Sequence, residues 1–292
     1  MANTVLGIVG GSGIYDLPGL ERAEWRRIES PWGSPSDDIL FAEFEGLPMR
    51  FLPRHGRGHR IPPGEINFRA NIDALKRAGV TDLLSVSAVG SLREHLAPGT
   101  FVLVDQYIDR TYAREASFFG TGCVAHVSLA HPASQHLLDV VADAAAARGI
   151  AHQKGGTLVV MEGPQFSTRA ESEMYRAMGA DLIGMTAMPE AKLAREAELP
   201  YATVAMVTDY DCWHPEHDVV DVSTVVKTLH DNREKAQSLV VEISRRIPRQ
   251  LVAAPERAAL DFAIMTAPDK RDPSLLAKLD AIAGRVIGGR QV

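Results

Sequence analysis

The segment Ala180–Asp211, ADLIGMTAMPEAKLAREAELPYATVAMVTDYD, constrains the fold more than any other part of the chain because it reads as strand, helix, strand. Asp181–Met185 is a short apolar run that stops at Met185 and Thr186. Pro189 then stands where a first helical residue would, with Glu190 behind it. Ala191, Leu193, Ala194 and Ala197 recur at helical spacing through Glu198, and Pro200 ends the helix ahead of a second apolar strand, Tyr201–Val207. Apolar strands joined by a crossover helix are the pattern of parallel strands covered on both faces, so the chain reads as α/β. Ligands in such sheets lie beyond the carboxyl ends of the strands. That rule places Met185-Thr186 and Thr208-Asp209-Tyr210-Asp211 at a candidate site.

The chain of 292 residues is long enough to bury a sizeable core, and no linker composition divides it in two. A hydrophobic content of 46% with 23% charged residues is that of a soluble globular protein, and no apolar run reaches the roughly 18 residues that a membrane helix needs. The first apolar run is short and has no basic segment before it, so no signal peptide is expected and the cytoplasm is the expected location. Cys123 and Cys212 do not make a disulfide framework. A net charge of −6 gives no electrostatic basis for binding nucleic acid.

Other apolar strands end on small or charged residues. Val5–Val9 runs into Gly10-Gly11-Ser12-Gly13, a turn that either is merely tight or lets backbone N–H groups approach an anion. Neither a dinucleotide fingerprint nor a Walker loop fits it, since Asp16 stands where the third glycine would be and no Lys follows. Ile39–Phe44 and Met49–Pro53 read as a hairpin about Glu45-Gly46, followed by Arg54-His55-Gly56-Arg57-Gly58-His59-Arg60. This cluster suits either an oxyanion or a solvated basic loop. After an amphipathic helix Asn67–Ala78, the strand Asp82–Val86 leads into Ser87-Ala88-Val89-Gly90-Ser91. Phe101–Asp105 and Thr157–Met161 read as further strands, whereas Gln106–Thr111 is a polar segment without a derivable role. Thr168 and Glu171 have capping-box spacing, which leaves Phe166 as a staple residue or as an aromatic platform for a ring ligand. His214 and His217 lack the spacing of a metal site, so no metal is expected. Val222, Val225, Val226 and Leu229 open a helical stripe running to Ile247, and the tail holds weaker helical patterns at Ala258–Met265 and Leu275–Ile287, with no role beyond packing on a neighbour.

Taken in order, GIVGGSG, LPRHGRGH, NFRAN, SAVGSLRE, DQYIDRT, EGPQFSTRAE, GMTAMPE and TDYDCW resemble the methylthioadenosine phosphorylase branch of the purine nucleoside phosphorylase family, from about Val5 to Leu229. The resemblance implies one α/β domain over residues 1–292, with a mixed sheet flanked by helices. It also implies a homotrimer whose active site lies near a subunit interface. It places a phosphate site on Ser12, Arg54, His55, Ser87, Ala88 and Thr186, with inorganic phosphate as co-substrate and no cofactor. Met185 is implied under the ribose and Phe166 on the purine, with Thr208, Asp209 and Asp211 forming the base wall. His59 and, from a neighbouring subunit, His126 are implied near the 5′ group, beside an apolar wall of Val222, Val225 and Val226. Ser12 stands where Thr is common and Gly184 where Asn is common.

The implied reaction is phosphorolysis of S-methyl-5′-thioadenosine to adenine and 5-methylthioribose 1-phosphate, in purine and methionine salvage. Phosphate would attack C1′ opposite the base while Asp209 meets N7, and a carboxyl at 209 favours a 6-aminopurine. A 6-oxopurine or methylthioinosine phosphorylase, a phosphate-independent nucleosidase and a non-enzymatic purine-binding module are the alternative readings.

Overall fold

The structure, a computed structural model, describes residues 3–11, 14–215 and 222–288, without the side chains of residues 222–227 and 229–231. The chain begins with β1 (Leu6–Gly10), β2 (Glu21–Arg26), β3 (Ile39–Phe44), β4 (Leu47–Pro53), α1 (Phe68–Arg77) and β5 (Asp82–Ser91). It continues through β6 (Phe101–Val104), β7 (Gln106–Arg110), α2 (Gln135–Ala147), β8 (His152–Lys154), β9 (Thr157–Met161) and α3 (Arg169–Ala177). It closes with β10 (Leu182–Gly184), α4 (Ala187–Glu196), β11 (Tyr201–Asp209), α5 (Val222–Arg246), α6 (Pro273–Lys278) and α7 (Asp280–Ile287).

Among the described residues the strands join in one 11-stranded mixed sheet. Successive residues of the central strands feed opposite faces, as a pleated strand must. Val9, Leu83 and Ala205 pack with Ile72, Leu75, Ala191 and Leu193 of α1 and α4. Ile8, Leu84 and Val204 pack with Leu137, Val141, Leu239 and Ile243 of α2 and α5. The central strands are therefore apolar almost throughout because both of their faces are covered.

Local chemistry sets several boundaries. The β3–β4 turn places Glu45 and Gly46 at φ 46° and 77°, the paired left-handed conformation of a tight hairpin. Asn67 caps α1 by accepting a hydrogen bond from the Ala70 N–H, and the expected capping box of Thr168 and Glu171 is formed at α3. In α4, Met188 is non-helical (φ −119°, ψ 135°), as the residue before a proline tends to be, so the regular helix starts at Pro189.

Four expectations change. The strands flanking α4 are not parallel neighbours: β10 runs antiparallel to β5, and β11 runs parallel to it. The small-residue run Ser87–Ser91 continues β5 rather than ending it, and Gln106–Arg110 is a strand paired with β9. Residues 258–265 form turns after a short 3₁₀ segment, Pro255–Ala258, and not a helix, because Ile264 is drawn into a bridge with Ala125.

The tail packs on its own chain. Leu279, Ile282 and Ala283 are buried in the core cluster of α1 and α4, Arg285 pairs with Glu198, and Arg77 pairs with Asp280. Arg257 bridges both oxygens of the Asp82 carboxylate through Nη2, at 2.9 Å each, and Asp82 is 1% exposed. Arg257→Met would leave that carboxylate buried without its cation, which should cost about 3 kcal/mol of folding stability, read as a fall in the urea midpoint. An unchanged midpoint would show that the tail is not fastened there.

Candidate active site

The site begins with a gap in the hydrogen-bond ladder of β5. Val86 pairs with both Gly10 and Val204, and Gly90 pairs with both Ile183 and Asp209. A strand residue has two edges, so β11 takes one edge of β5, while β1 and β10 share the other and meet there end to end. Between them Ser87, Ala88 and Val89 pair with β11 alone. The corrected direction of β10 is what brings its carboxyl end, Met185-Thr186, back to Ser87, where the two hydroxyls lie 3.2 Å apart.

Arg54 enters this gap directly after β4, its N–H bonded to the Gly10 carbonyl at 2.9 Å. The expected free fork for an anion is not what the structure holds. The side chain is 2% exposed, and its guanidinium donates to Glu190, Ser85, Ser87 and the Val9 and Val86 carbonyls. Arg54 thus lies behind the cradle as a fixed charge. Its bond to Ser87 Oγ (2.9 Å) makes that hydroxyl an acceptor, which leaves the hydroxyl proton of Ser87 to point elsewhere. Thr186, at the start of α4, makes no capping bond with its side chain, so its hydroxyl also faces Ser87.

Glu190 is 1% exposed and ties this charge into the sheet. Tyr201 donates to it at 2.9 Å, Thr203 to Tyr201 at 3.0 Å, and Tyr107 to Thr203 at 2.8 Å. Burial pushes both phenols well above their usual range, so they stay neutral donors.

His55 is half-buried, donates Nδ1–H to the Ile61 carbonyl at 2.9 Å, and stacks on His59 with centroids 4.2 Å apart. A carbonyl can only accept, so the tautomer is fixed and Nε2 keeps its lone pair. Burial pushes the imidazole down to about 4, against the Ile61 bond, with the charges of Arg54, His59 and Arg114 acting the same way as burial. His59 is exposed and sits at φ 54°.

At the other end of the gap, Asp209 accepts from the Thr208 hydroxyl at 2.7 Å and from the Asp211 N–H at 2.8 Å. Burial raises the Asp209 carboxyl above its usual range despite both bonds. Burial raises Asp211 as well, with the neighbouring charge of Asp209 adding to it. Gly90 makes this closeness feasible, since a Cβ there would stand 2.9 Å from Asp209 Oδ1. The Phe166 loop joins through Cys212, whose thiol donates to the Ser167 carbonyl at 3.4 Å, and Phe166 itself is 44% exposed, so it does not serve as a core staple. Met185 lies against Gly163, where a Cβ would be 2.6 Å from its sulfur.

Arg54, Ser87, Ala88, Thr186, Thr208, Asp209 and Asp211 therefore line or back one stretch of β5, with His55 next in the chain to Arg54 and Met185 to Thr186. His126 is exposed on a separate segment, its N–H bonded to the Ala263 carbonyl. Ser12, His217 and the side chains of Val222, Val225 and Val226 lie outside the described residues. His214 pairs with Glu94 and stacks on Tyr210, and no cluster of metal-ligating side chains occurs among the described residues. Glu190, Ser85 and Tyr201 were missed from sequence; a glutamate inside the apolar run after Pro189 was the one available signal.

A mixed sheet whose strand ends gather hydroxyls, a netted guanidinium and a buried carboxyl matches a known family. The model of the phosphorylase superfamily fits residues 5–245, and the chain belongs to that superfamily. Within it, an S-methyl-5′-thioadenosine phosphorylase of Bradyrhizobium diazoefficiens is 60% identical over 291 residues, 99% of this chain and 100% of that protein. A crystal structure of a methylthioadenosine phosphorylase from an antarctic soil metagenomic library has a TM-score of 0.90 at 45% identity, covering 96% of this chain and 99% of that one. The methylthioadenosine phosphorylase of Schistosoma mansoni in complex with adenine has a TM-score of 0.79 at 36% identity, covering 83% and 91%.

The His55 imidazole gives a stability test. Its pKa falls from 6.5 in the unfolded chain to about 4 in the fold, so between those values the unfolded state binds more protons. Stability linked to His55 is complete above the upper value and is lost as pH falls toward the lower one. The unfolding free energy of the native protein, from urea titration, should drop more than that of His55→Gln over this window, by about 3 kcal/mol. Equal slopes would show that His55 does not titrate in this way.

Proposed function

We propose that this chain catalyses phosphorolysis of S-methyl-5′-thioadenosine, releasing adenine and 5-methylthioribose 1-phosphate, and so serves purine and methionine salvage. The observation that carries the reading is the pair of unlike poles set along β5, hydroxyls at one point and the carboxyl of Asp209 from β11 at another. Hydroxyls stand at Ser87 and a buried carboxyl at Gly90, about 10 Å along β5 at ~3.3 Å per residue. A ribosyl group between an anion and a purine requires that kind of separation.

The transition state places positive charge on the sugar and negative charge on the departing base. Phosphate held by Ser12, the backbone around His55, Ser87, Ala88 and the Thr186 hydroxyl would stabilise the cation and attack C1′ from the face opposite the base. Arg54 would act on that anion through Ser87, its charge partly offset by Glu190. Asp209, kept protonated more readily than a free carboxyl, would donate toward N7 and accept from the 6-amino group, with Thr208 and Asp211 completing the wall. Met185 would lie under the ribose and Phe166 over the purine. No cofactor or metal enters this scheme.

The methylthio end would meet His59, the helix start at Val222, Val225 and Val226, and His126 of a neighbouring subunit in a homotrimer. The oligomer is supported by Phe262 and Met265, which are 97% and 67% exposed beside the segment carrying His126. Residues 1–292 would form a single nucleoside phosphorylase unit, working in the cytoplasm. Among the described residues no helix is long and apolar enough to cross a membrane.

Two measurements test the reaction. Adenine release from S-methyl-5′-thioadenosine should require phosphate, whereas full release in phosphate-free buffer would make the enzyme a hydrolase. Asp209→Asn should lower turnover by roughly 10²–10⁴-fold, and unchanged kinetics would remove Asp209 from the chemistry.

A further inference from the structure

Arg114 follows β7 on a loop to which no motif points. Its guanidinium is 2% exposed, and its donors end on groups at the ends of β9 and β10 and at the start of α4. Nε bonds Glu162 Oε1 at 3.1 Å, Nη1 bonds the carbonyls of Met185 and Met188 at 2.7 Å each, and Nη2 bonds the Glu162 carbonyl at 2.6 Å and Met161 at 3.5 Å. Glu162 uses its other carboxylate oxygen on the N–H groups of Tyr112 (2.8 Å) and Ala113 (3.4 Å). The loop holding Arg114 is thereby fixed by the residue that Arg114 itself fixes.

The carbonyls of Met161 and Glu162 open the loop to Phe166, while those of Met185 and Met188 flank Thr186. Carbonyls cannot bond one another, and four aimed at one point repel unless a cation with several donors stands between them. A planar fork supplies those donors, and an ammonium does not reach them all.

We propose that Arg114, oriented by Glu162, is a positioning residue that sets the distance between the base side of the pocket at Phe166 and its anion side at Thr186. This rests on the reaction proposed above. Each half of the pocket keeps its own contacts when the clamp is loosened, so the loss falls on the alignment of the two reactants.

In Arg114→Lys, kcat should drop roughly 10- to 100-fold, because a displacement near 1 Å is costly in rate. KM for nucleoside and for phosphate should move by less than about threefold. Adenine affinity measured by calorimetry, which needs no turnover, should be equally little changed. A kcat within about twofold of the native value overturns the proposal, as does a loss borne by both KM values together with adenine affinity, which marks a clamp that only holds the fold. If Arg114→Lys does not fold, Glu162→Gln decides: a kcat loss of about fivefold or more with adenine affinity kept supports the role, and unchanged kcat overturns it. The native protein in the same assay separates the two readings. Phosphate-dependent release by the native protein with indifferent variants ends only the clamp, whereas no release by the native protein ends the reaction and the clamp with it.

Discussion

The ion pair between Arg54 and Glu190 is the interaction on which the pocket depends. Both side chains are almost wholly out of solvent, at 2% and 1% exposed, and moving two charges into such a place is unfavourable unless their polar atoms find partners. Here they do. Arg54 is met by two serines and two carbonyls besides the carboxylate, and Glu190 by Tyr201. The partners come from β1, β5, α4 and β11, so the pair also records how those four elements are placed.

This pair explains why a positive charge is held at the bottom of the cradle without being spent on solvent. The serine between the guanidinium and the gap takes a hydrogen bond from behind and has its own proton left for the front. At the far end the same strand carries no side chain at Gly90, and the carboxyl of Asp209 occupies that room. β5 therefore presents a hydroxyl donor at Ser87 and, at Gly90, the room that the acid of β11 fills.

Much of this was legible in the sequence because its causes are local. The hairpin about Glu45-Gly46, the caps of α1 and α3, and the chemistry-bearing strand ends follow from turn, cap and patterning rules that act within a few residues. What was not legible depends on pairing across the chain. The direction of β10 cannot be read from three apolar residues, since parallel and antiparallel strands of that length look alike. The burial of Arg54 depends on a carboxylate 136 residues away, and without it an arginine after a strand reads as a free anion ligand. The docking of the tail was not legible because its weak stripe brings only a few residues, Leu279, Ile282 and Ala283, into the core beside α1 and α4, and its ion pairs reach Arg77 and Glu198 far along the chain.

The meeting of β1 and β10 end to end has a geometric corollary. The opening between them is counted in whole residues, because strands lengthen only in steps of one rung. An insertion that extended either strand along β5 would let the sheet seal itself, and a deletion would widen the slot by a full step. Divergence among chains built on this plan is thus free to alter the loops beyond the rungs, while the span of the slot itself admits no small adjustment.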